Sequence, residues 1–139
     1  MDIGLNAIIF SRISLNLLYH TQRLIYETLE ISIGMSQSEA EASFWRGSDE
    51  GGKIKEVGYE HWISPNTGAT NSTGFTSIPS GVKYQDGSFG DMGIAVGYWT
   101  ATQTDASAAY GRDLWNTEQR IYANGFLKSV GYTVRCVKD

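Results

Sequence analysis

The stretch from residue 58 to residue 93 constrains this chain most, because turn-forming sequences follow one another there with little room for regular structure. These sequences place Gly, Pro, Asn or Asp where turns need them, in Ser64-Pro-Asn-Thr-Gly68, Asn71-Ser-Thr-Gly74, Pro79-Ser-Gly81 and Asp86-Gly87. A loop region of this length is uncommon in a compact domain unless it is functional or packs on itself. Large apolar side chains are spaced through it, and we expect them to hold it against a core: Trp62, Phe75, Ile78, Tyr84 and Phe89.

The sequence before the loop region is typical of helices. Apolar residues recur every four positions within residues 1–25, which predicts an amphipathic helix that faces the core, a partner or a second copy of the chain. A second short helix is predicted over residues 36–42, with Ser36 or Ser38 as the cap and Glu39 and Glu41 in the first turn. Residues 45–52 are predicted to form a loop, which a brief segment at residues 53–57 follows.

The sequence after the loop region alternates apolar and polar residues and predicts a meander of strands. The separators are Thr104-Asp105, Asn116-Thr-Glu118 and Asn124-Gly125, all of which suit turns. Because these connections are short, neighbouring strands should be antiparallel. The predicted strands cover residues 94–102, 108–116, 120–123 and 132–138. Trp99 is expected in the core, and the alternation in the last strand puts Tyr132, Val134 and Cys136 on its buried face.

Length and charge limit the classes of protein to which the chain can belong. Its 139 residues suit one domain, and a net charge of -4 without a basic cluster gives no electrostatic support for nucleic-acid binding. Arg12 and Arg23 interrupt the apolar stretch near the start, so we predict no membrane insertion. The one cysteine, Cys136, excludes an internal disulfide. It is either a small core residue of the last strand or a residue without its disulfide partner.

Several motifs, in order, closely resemble the Fibrobacter succinogenes major paralogous domain, a family of bacterial modules that are mostly secreted or on the cell surface. They are Gly34-Met-Ser-Gln-Ser-Glu-Ala40, Trp45-Arg-Gly-Ser-Asp-Glu-Gly-Gly-Lys53, Ser64-Pro-Asn-Thr-Gly-Ala-Thr-Asn71, Gly74-Phe-Thr-Ser-Ile-Pro-Ser-Gly81, Asp86-Gly-Ser-Phe89, Gly97-Tyr-Trp-Thr-Ala-Thr102 and Gly131-Tyr-Thr-Val-Arg-Cys-Val-Lys-Asp139. The resemblance covers residues 26–139 and implies a paralogous domain there, preceded by an atypical or truncated N-terminus, the amphipathic helix of residues 1–25. It also implies that Cys136 lacks the partner that other members have.

The resemblance implies an α+β fold of C-type-lectin-like organisation. The N-terminal helices should be followed by the long loop region and a small twisted antiparallel sheet. Calcium-dependent lectins with this type of fold use carboxylate-bearing motifs that Ser64-Pro65-Asn66 and Trp115-Asn116-Thr117 reproduce only in part. We therefore expect neither a metal nor another cofactor.

The sequence contains no arrangement that is typical of catalysis. The two histidines, His20 and His61, lie in segments of different type, and the neighbouring Glu60 and His61 should point apart in an extended chain. No nucleophile motif, phosphate-binding glycine loop or metalloprotease motif is present. We therefore expect that the protein is not an enzyme.

The expected function is ligand binding or adhesion by a module of a bacterial surface protein. Aromatic residues beside amides and acids suit sugar rings or a protein epitope equally well. The alternative is a structural assembly subunit that forms a homo-oligomer through residues 1–25. The resemblance implies that the recognition surface lies on the late strands and their loops, and the ligand-binding residues expected there and on the long loop are Tyr84, Asp86, Tyr110, Asp113, Trp115, Asn116, Tyr122 and Asn124.

Overall fold

The computed structural model of the chain describes residues 29–135. The helix predicted for residues 1–25, with the oligomer it could form, lies outside this range, as does Cys136. The described chain begins with a helical turn at residues 29–32. Two short helices and six strands follow: α1 (Gln37–Ala40), β1 (Phe44–Arg46), α2 (Glu50–Ile54), β2 (Ser80–Lys83), β3 (Phe89–Met92), β4 (Ala95–Gln103), β5 (Ala108–Trp115) and β6 (Ile121–Leu127).

The six strands form one mixed sheet in the order β1-β6-β5-β4-β2-β3. Every pairing is antiparallel except that of β2 with β4, where Gly81 lies opposite Val96. The protein is therefore a small α+β domain, but the prediction of a purely antiparallel sheet was wrong. The parallel pairing arises because the predicted loop region contains the hairpin β2–β3, whose first strand returns to the edge of β4.

The helix predicted at residues 36–42 is confirmed in α1. The Ser36 hydroxyl accepts a hydrogen bond from the Glu39 backbone N–H, and the Glu39 carboxylate accepts one from the Ser36 N–H at 3.0 Å. This reciprocal capping satisfies two donors that a helix start otherwise leaves unpaired. The cap explains why so short a helix begins where the sequence indicates.

The loop predicted at residues 45–52 was wrong, because this segment contains the end of β1 and the start of α2. β1 has only three residues, and its pairing with β6 sets Trp45 opposite Tyr122. α2 contains Gly52, and a Cβ there would collide with the backbone of Gly68. The helix therefore forms because of a tertiary contact, which local helix propensity cannot predict.

The long loop is ordered, but only some of its apolar residues face the core. Trp62 is fully buried, its exposed fraction being 1%, and Phe75 packs edge-on against Tyr98. Ile78 and Tyr84 are more than 40% exposed, and Phe89 is 81% exposed, so the prediction that they hold the loop was wrong. Within residues 29–135 no helix is long and apolar enough to cross a membrane.

The last described segment, residues 131–133, joins the sheet by isolated bridges. Gly131 pairs with Lys83 of β2, and Thr133 pairs in parallel with Tyr98 of β4. The pattern predicted Tyr132 and Val134 on one buried face, but Val134 is 72% exposed. The described part of the predicted last strand therefore fills the gap where β2 and β4 diverge.

The core lies between one face of the sheet and the helical segments. Val96, Leu114 and Ile121 come from three adjacent strands and point to the same side, which we call the core face. Met35, Ala40 and Trp62 pack against them from the helical and loop segments. The opposite side of the sheet, which we call the outer face, is therefore not covered by these segments.

An ion cluster joins the first helical turn to the core face. The Glu30 carboxylate is 3% exposed and accepts a hydrogen bond at 2.7 Å from Arg46 Nη1, with a second from Arg46 Nη2. Arg112 of β5 donates to the same carboxylate through Nε at 2.8 Å. One buried acid therefore holds the helical turn to β1 and β5 at once.

A second buried ion, Lys55, holds the long loop to the sheet. It is completely buried, and its ammonium donates to the carbonyl oxygens of Thr67 at 2.8 Å, Trp115 at 3.1 Å and Glu118 at 2.8 Å. All three ammonium donors are thereby used. Burial lowers the pKa of the Lys55 ammonium to about 8, against a smaller opposing effect of the Glu118 charge.

The substitution Glu30→Gln tests the ion cluster. It removes the charge that compensates the buried Arg46 guanidinium and the partly buried Arg112 guanidinium, so the free energy of unfolding should fall by about 3 kcal/mol in urea denaturation. The control is Asp49→Asn, which removes an exposed ion pair with Lys53 at 2.7 Å and should cost less than about 1 kcal/mol. Equal losses of unfolding free energy in the two variants would show that the ion cluster does not hold the helical turn at residues 29–32 to the sheet.

Candidate functional site

A row of aromatic rings crosses the outer face. Residues paired directly across antiparallel strands share a face, and the register sets Trp45 beside Tyr122 and Trp99 beside Gly111. Ring centroids along the row are 4.9 to 6.3 Å apart, within the range of favourable aromatic contacts. We call the five half-buried residues of the row the aromatic face: Trp45, Tyr122, Phe126, Tyr132 and Trp99.

Two glycines in the sheet make room for the central ring of this row. A Cβ at Gly97 would lie 2.6 Å from the Tyr132 ring, and one at Gly111 would lie 2.8 Å from it. Real Cβ atoms do not approach other atoms so closely, so the ring rests directly on the backbone of β4 and β5. This position brings Tyr132 between Trp99 and Phe126, at 4.9 and 5.0 Å.

Asp113 lies beneath the aromatic face, between Gly97 and Tyr122 in the register. It is 8% exposed, and the Tyr132 hydroxyl donates to its Oδ2 at 3.1 Å, whereas its Oδ1 has no hydrogen-bond partner. Burial raises the pKa of the Asp113 carboxyl to about 7, against a smaller lowering by the Tyr132 hydrogen bond. A carboxyl group that titrates near neutral pH therefore lies in the middle of the row.

A second carboxylate acts on the same phenol from the edge of the sheet. Burial, followed by the charge of Asp113, raises the pKa of Tyr132, and the charge of Asp91 on β3 contributes in the same direction. Tyr84 donates to Asp91 at 2.6 Å, and this hydrogen bond raises the pKa of Tyr84. The surroundings of the Tyr132 hydroxyl are therefore anionic.

Four of the predicted site residues share the outer face. Asp113 and Tyr122 are direct partners, and Asn124 lies beside Gly111. Trp115 is on the same side of β5, but it makes none of the ring contacts that form the row. Tyr84 reaches the row only through Asp91.

The other three predicted residues do not join the aromatic face. Tyr110 pairs with Gly125 and so lies on the opposite side of β5 from Asp113. Asp86 accepts hydrogen bonds from the Ser88 N–H and hydroxyl at 2.9 and 2.6 Å, which lower the pKa of Asp86 and close the β2–β3 turn. Asn116 is buried and donates to the carbonyl oxygens of Ile63 and Ser64, so it holds the long loop.

Four members of the aromatic face were absent from the predicted site. Trp45 and Trp99 were assigned to a loop and to the core, and Tyr132 to the inner side of the last strand. Phe126 was missed because Asn124-Gly125 resembles a hairpin turn, whereas both residues lie inside β6. The alternation of Tyr122, Asn124 and Phe126 was the signal that could have found it.

Glu56, Glu60 and His61 form a separate polar cluster on the long loop. One possible ligand atom from each lies within 4.8 Å of the others, and His61 Nδ1 is 2.9 Å from the Glu56 carboxylate. The prediction that Glu60 and His61 point apart was therefore wrong, because the chain turns at this position. His61 and Glu60 are exposed, as in a solvated ion cluster.

Comparisons with known proteins identify a family. The model of the Fibrobacter succinogenes major domain matches residues 26–138, which confirms the resemblance read from the motifs. Neither the curated proteins nor the solved structures contain a match to the chain.

The substitution Asp113→Asn tests the buried carboxyl through its pH dependence. The pKa of Asp113 is higher in the folded state than in the unfolded state, so its stabilising contribution is complete below about pH 4 and is lost as the pH rises through 7. The loss should be on the order of 4 kcal/mol. The amide of the variant cannot ionise, so urea denaturation should show the variant gaining stability relative to the native chain between pH 4 and 8. Unfolding free energies of the two chains that change in parallel over this pH range would contradict this prediction.

The substitution Gly97→Ala tests whether the Tyr132 ring packs directly on Gly97. The added methyl group should displace the ring and cost about 1–3 kcal/mol of unfolding free energy, as overpacking does. In a Tyr132→Ala background the same change should cost little, since nothing remains above Gly97. Thermal unfolding of the four chains of this double-mutant cycle gives the coupling, and a coupling near zero would place the ring elsewhere.

Proposed function

We propose that this chain, which belongs to the family of the Fibrobacter succinogenes major domain, is a ligand-binding or adhesion module of a bacterial surface protein. Its ligand is a glycan or a protein, recognised through aromatic and polar residues of the late strands. The surface location follows from the family resemblance alone.

The aromatic face is the observation that carries this proposal. Tyr and Trp are enriched in recognition surfaces because they combine large apolar area with a polar group and little rotamer freedom. Here five rings from four separate segments meet on one side of the sheet, and each remains partly accessible. Within residues 29–135 the core lies on the opposite side of the sheet, which leaves these partly accessible rings outside it.

We propose that the module is noncatalytic. The polar groups on and beside the aromatic face are the indole N–H groups of Trp45 and Trp99, the phenols of Tyr122 and Tyr132, the amide of Asn124 and the carboxyl of Asp113. Among residues 29–135 the one histidine, His61, lies on the long loop and pairs with Glu56. Binding needs only the shape and polarity of such a surface, and the donor–acceptor pair at its centre, Tyr132 and Asp113, is already joined by its own hydrogen bond at 3.1 Å.

We also propose a C-type-lectin-like organisation for the fold. Its support is the order of elements, in which helical segments precede a long ordered loop and a sheet of late strands. The loop is held to the sheet by Lys55 and Asn116, so that it forms part of the domain.

The substitution Tyr122→Ala tests the aromatic face. The ring contacts Trp45 at 5.2 Å and Phe126 at 6.3 Å, so its removal should reduce ligand affinity at least about tenfold, as for a binding hot spot. The measurement is binding of the full chain to a glycan array and to a panel of surface proteins, followed by titration calorimetry of the strongest ligand.

The matched control is Phe89→Ala, which removes an exposed ring from β3, outside the aromatic face. This variant should bind as the native chain does. A ligand whose affinity falls with Phe89→Ala and not with Tyr122→Ala would place the site on the β3 edge and contradict the proposal.

A further inference from the structure

We propose that the aromatic face binds an arginine side chain of a protein partner, with the guanidinium stacked on Trp99 and Tyr132 and hydrogen-bonded to Asp113. This inference rests on the proposed binding function and adds the chemistry of the ligand. Three observations lead to it. Asp113 has a buried acceptor atom without a donor, the charges around it are negative, and arginines of this chain already lie on ring faces.

The first observation is the unused acceptor. Asp113 Oδ1 is buried without a hydrogen-bond partner, and Oδ2 has one neutral donor, the Tyr132 hydroxyl, at 3.1 Å. A buried carboxylate in this condition is costly, and a charged donor would relieve the cost. A guanidinium reaches it by displacing the Tyr132 hydroxyl, which exchanges a neutral hydrogen bond for a charge-assisted one.

The second observation is the sign of the charges around this position. The ionisable groups that face the Asp113 carboxyl are the phenols of Tyr132 and Tyr122, and Asp91 acts on Tyr132 from β3. Arg120 lies at the other end of the row and is paired with Glu118 at 2.7 and 2.8 Å. The centre of the aromatic face therefore complements a cation.

The third observation is that cations in this chain already lie on ring faces. The Arg120 guanidinium lies 5.6 Å from the Trp45 centroid while it pairs with the Glu118 carboxylate. Arg135 lies 4.1 Å from the Phe75 centroid. The first of these combines a guanidinium, an indole and a carboxylate, which is the same combination that a ligand arginine would make with Trp99 and Asp113.

Arginine fits this site better than a neutral sugar does. A planar guanidinium can stack on a ring and donate to a carboxylate at its edge at the same time, which a compact ammonium or a hydroxyl cannot do as well. Phe126 within the row and Phe44 beside Tyr122 offer no polar group to a sugar hydroxyl, whereas they suit the apolar stem of a long side chain.

The test uses the full chain and two acetylated, amidated pentapeptides, Gly-Arg-Gly-Arg-Gly and the same peptide with citrulline in place of arginine. Citrulline keeps the shape and removes the charge. Titration followed by tryptophan fluorescence should show the arginine peptide binding about tenfold more tightly at pH 8.5. Because its guanidinium stays charged, its affinity should fall about tenfold at pH 5.5, where Asp113 is protonated.

Two variants separate this account from a general structural effect. Asp113→Asn should bind the arginine peptide as weakly at pH 8.5 as the native chain does at pH 5.5, and should lose the pH dependence. Tyr132→Phe keeps the ring but removes the competing hydroxyl, so it should bind the arginine peptide at least as tightly as the native chain. Near-UV circular dichroism verifies that both variants are folded.

Equal affinity for the two peptides, or an affinity that Asp113→Asn leaves unchanged, would overturn the inference. If the arginine peptide does not bind but a neutral glycan binds in a way that Tyr122→Ala abolishes, the inference fails and the proposed binding function stands. If no ligand loses affinity in the Tyr122→Ala variant, both the arginine inference and the proposed binding function fail.

Discussion

The Glu30 carboxylate is the group on which the arrangement of this domain depends. It is buried and accepts hydrogen bonds from Arg46 on β1 and Arg112 on β5, two strands that are not adjacent in the sheet. Removing a charge from water is costly, so this position is favourable only with both arginines present. The cluster thereby holds the helical turn on the core face of the sheet. The aromatic face lies on the opposite side.

The arrangement of the outer face depends on the close approach of one aromatic ring to the backbone of the sheet. Gly97 and Gly111 allow the Tyr132 ring to lie on the backbone, and the ring then bridges Trp99 and Phe126. The same position buries the Asp113 carboxyl beneath a phenol. A chain that needed only a second apolar layer would gain stability from an apolar residue in place of this acid. A recognition role for the acid would explain its position in the centre of the row.

The sequence alone predicted the features that depend on neighbouring residues and missed those that depend on distant ones. The cap at Ser36, the long strands β4 and β5 and the ordered middle loop could be predicted, because turn chemistry and alternation are local. β1 and α2 are too short for any periodicity and form through contacts with β6 and Gly68. For the candidate site, the family resemblance pointed to the late strands, and with them to Asp113, Tyr122 and Asn124. Trp45 and Tyr132 reach the same face only through the sheet order, which no local pattern contains.

The most direct measurement of the central claim uses the four tryptophans, which sample different parts of the molecule. Trp45 and Trp99 belong to the aromatic face, Trp62 lies in the core, and Trp115 shares the outer face without joining the row. The chain labelled with 5-fluorotryptophan should be followed by fluorine NMR during titration with the arginine pentapeptide and with the strongest ligand of the binding screens. The account predicts that the Trp45 and Trp99 signals shift while the Trp62 signal stays in place. Saturable binding that leaves both Trp45 and Trp99 unshifted would contradict it.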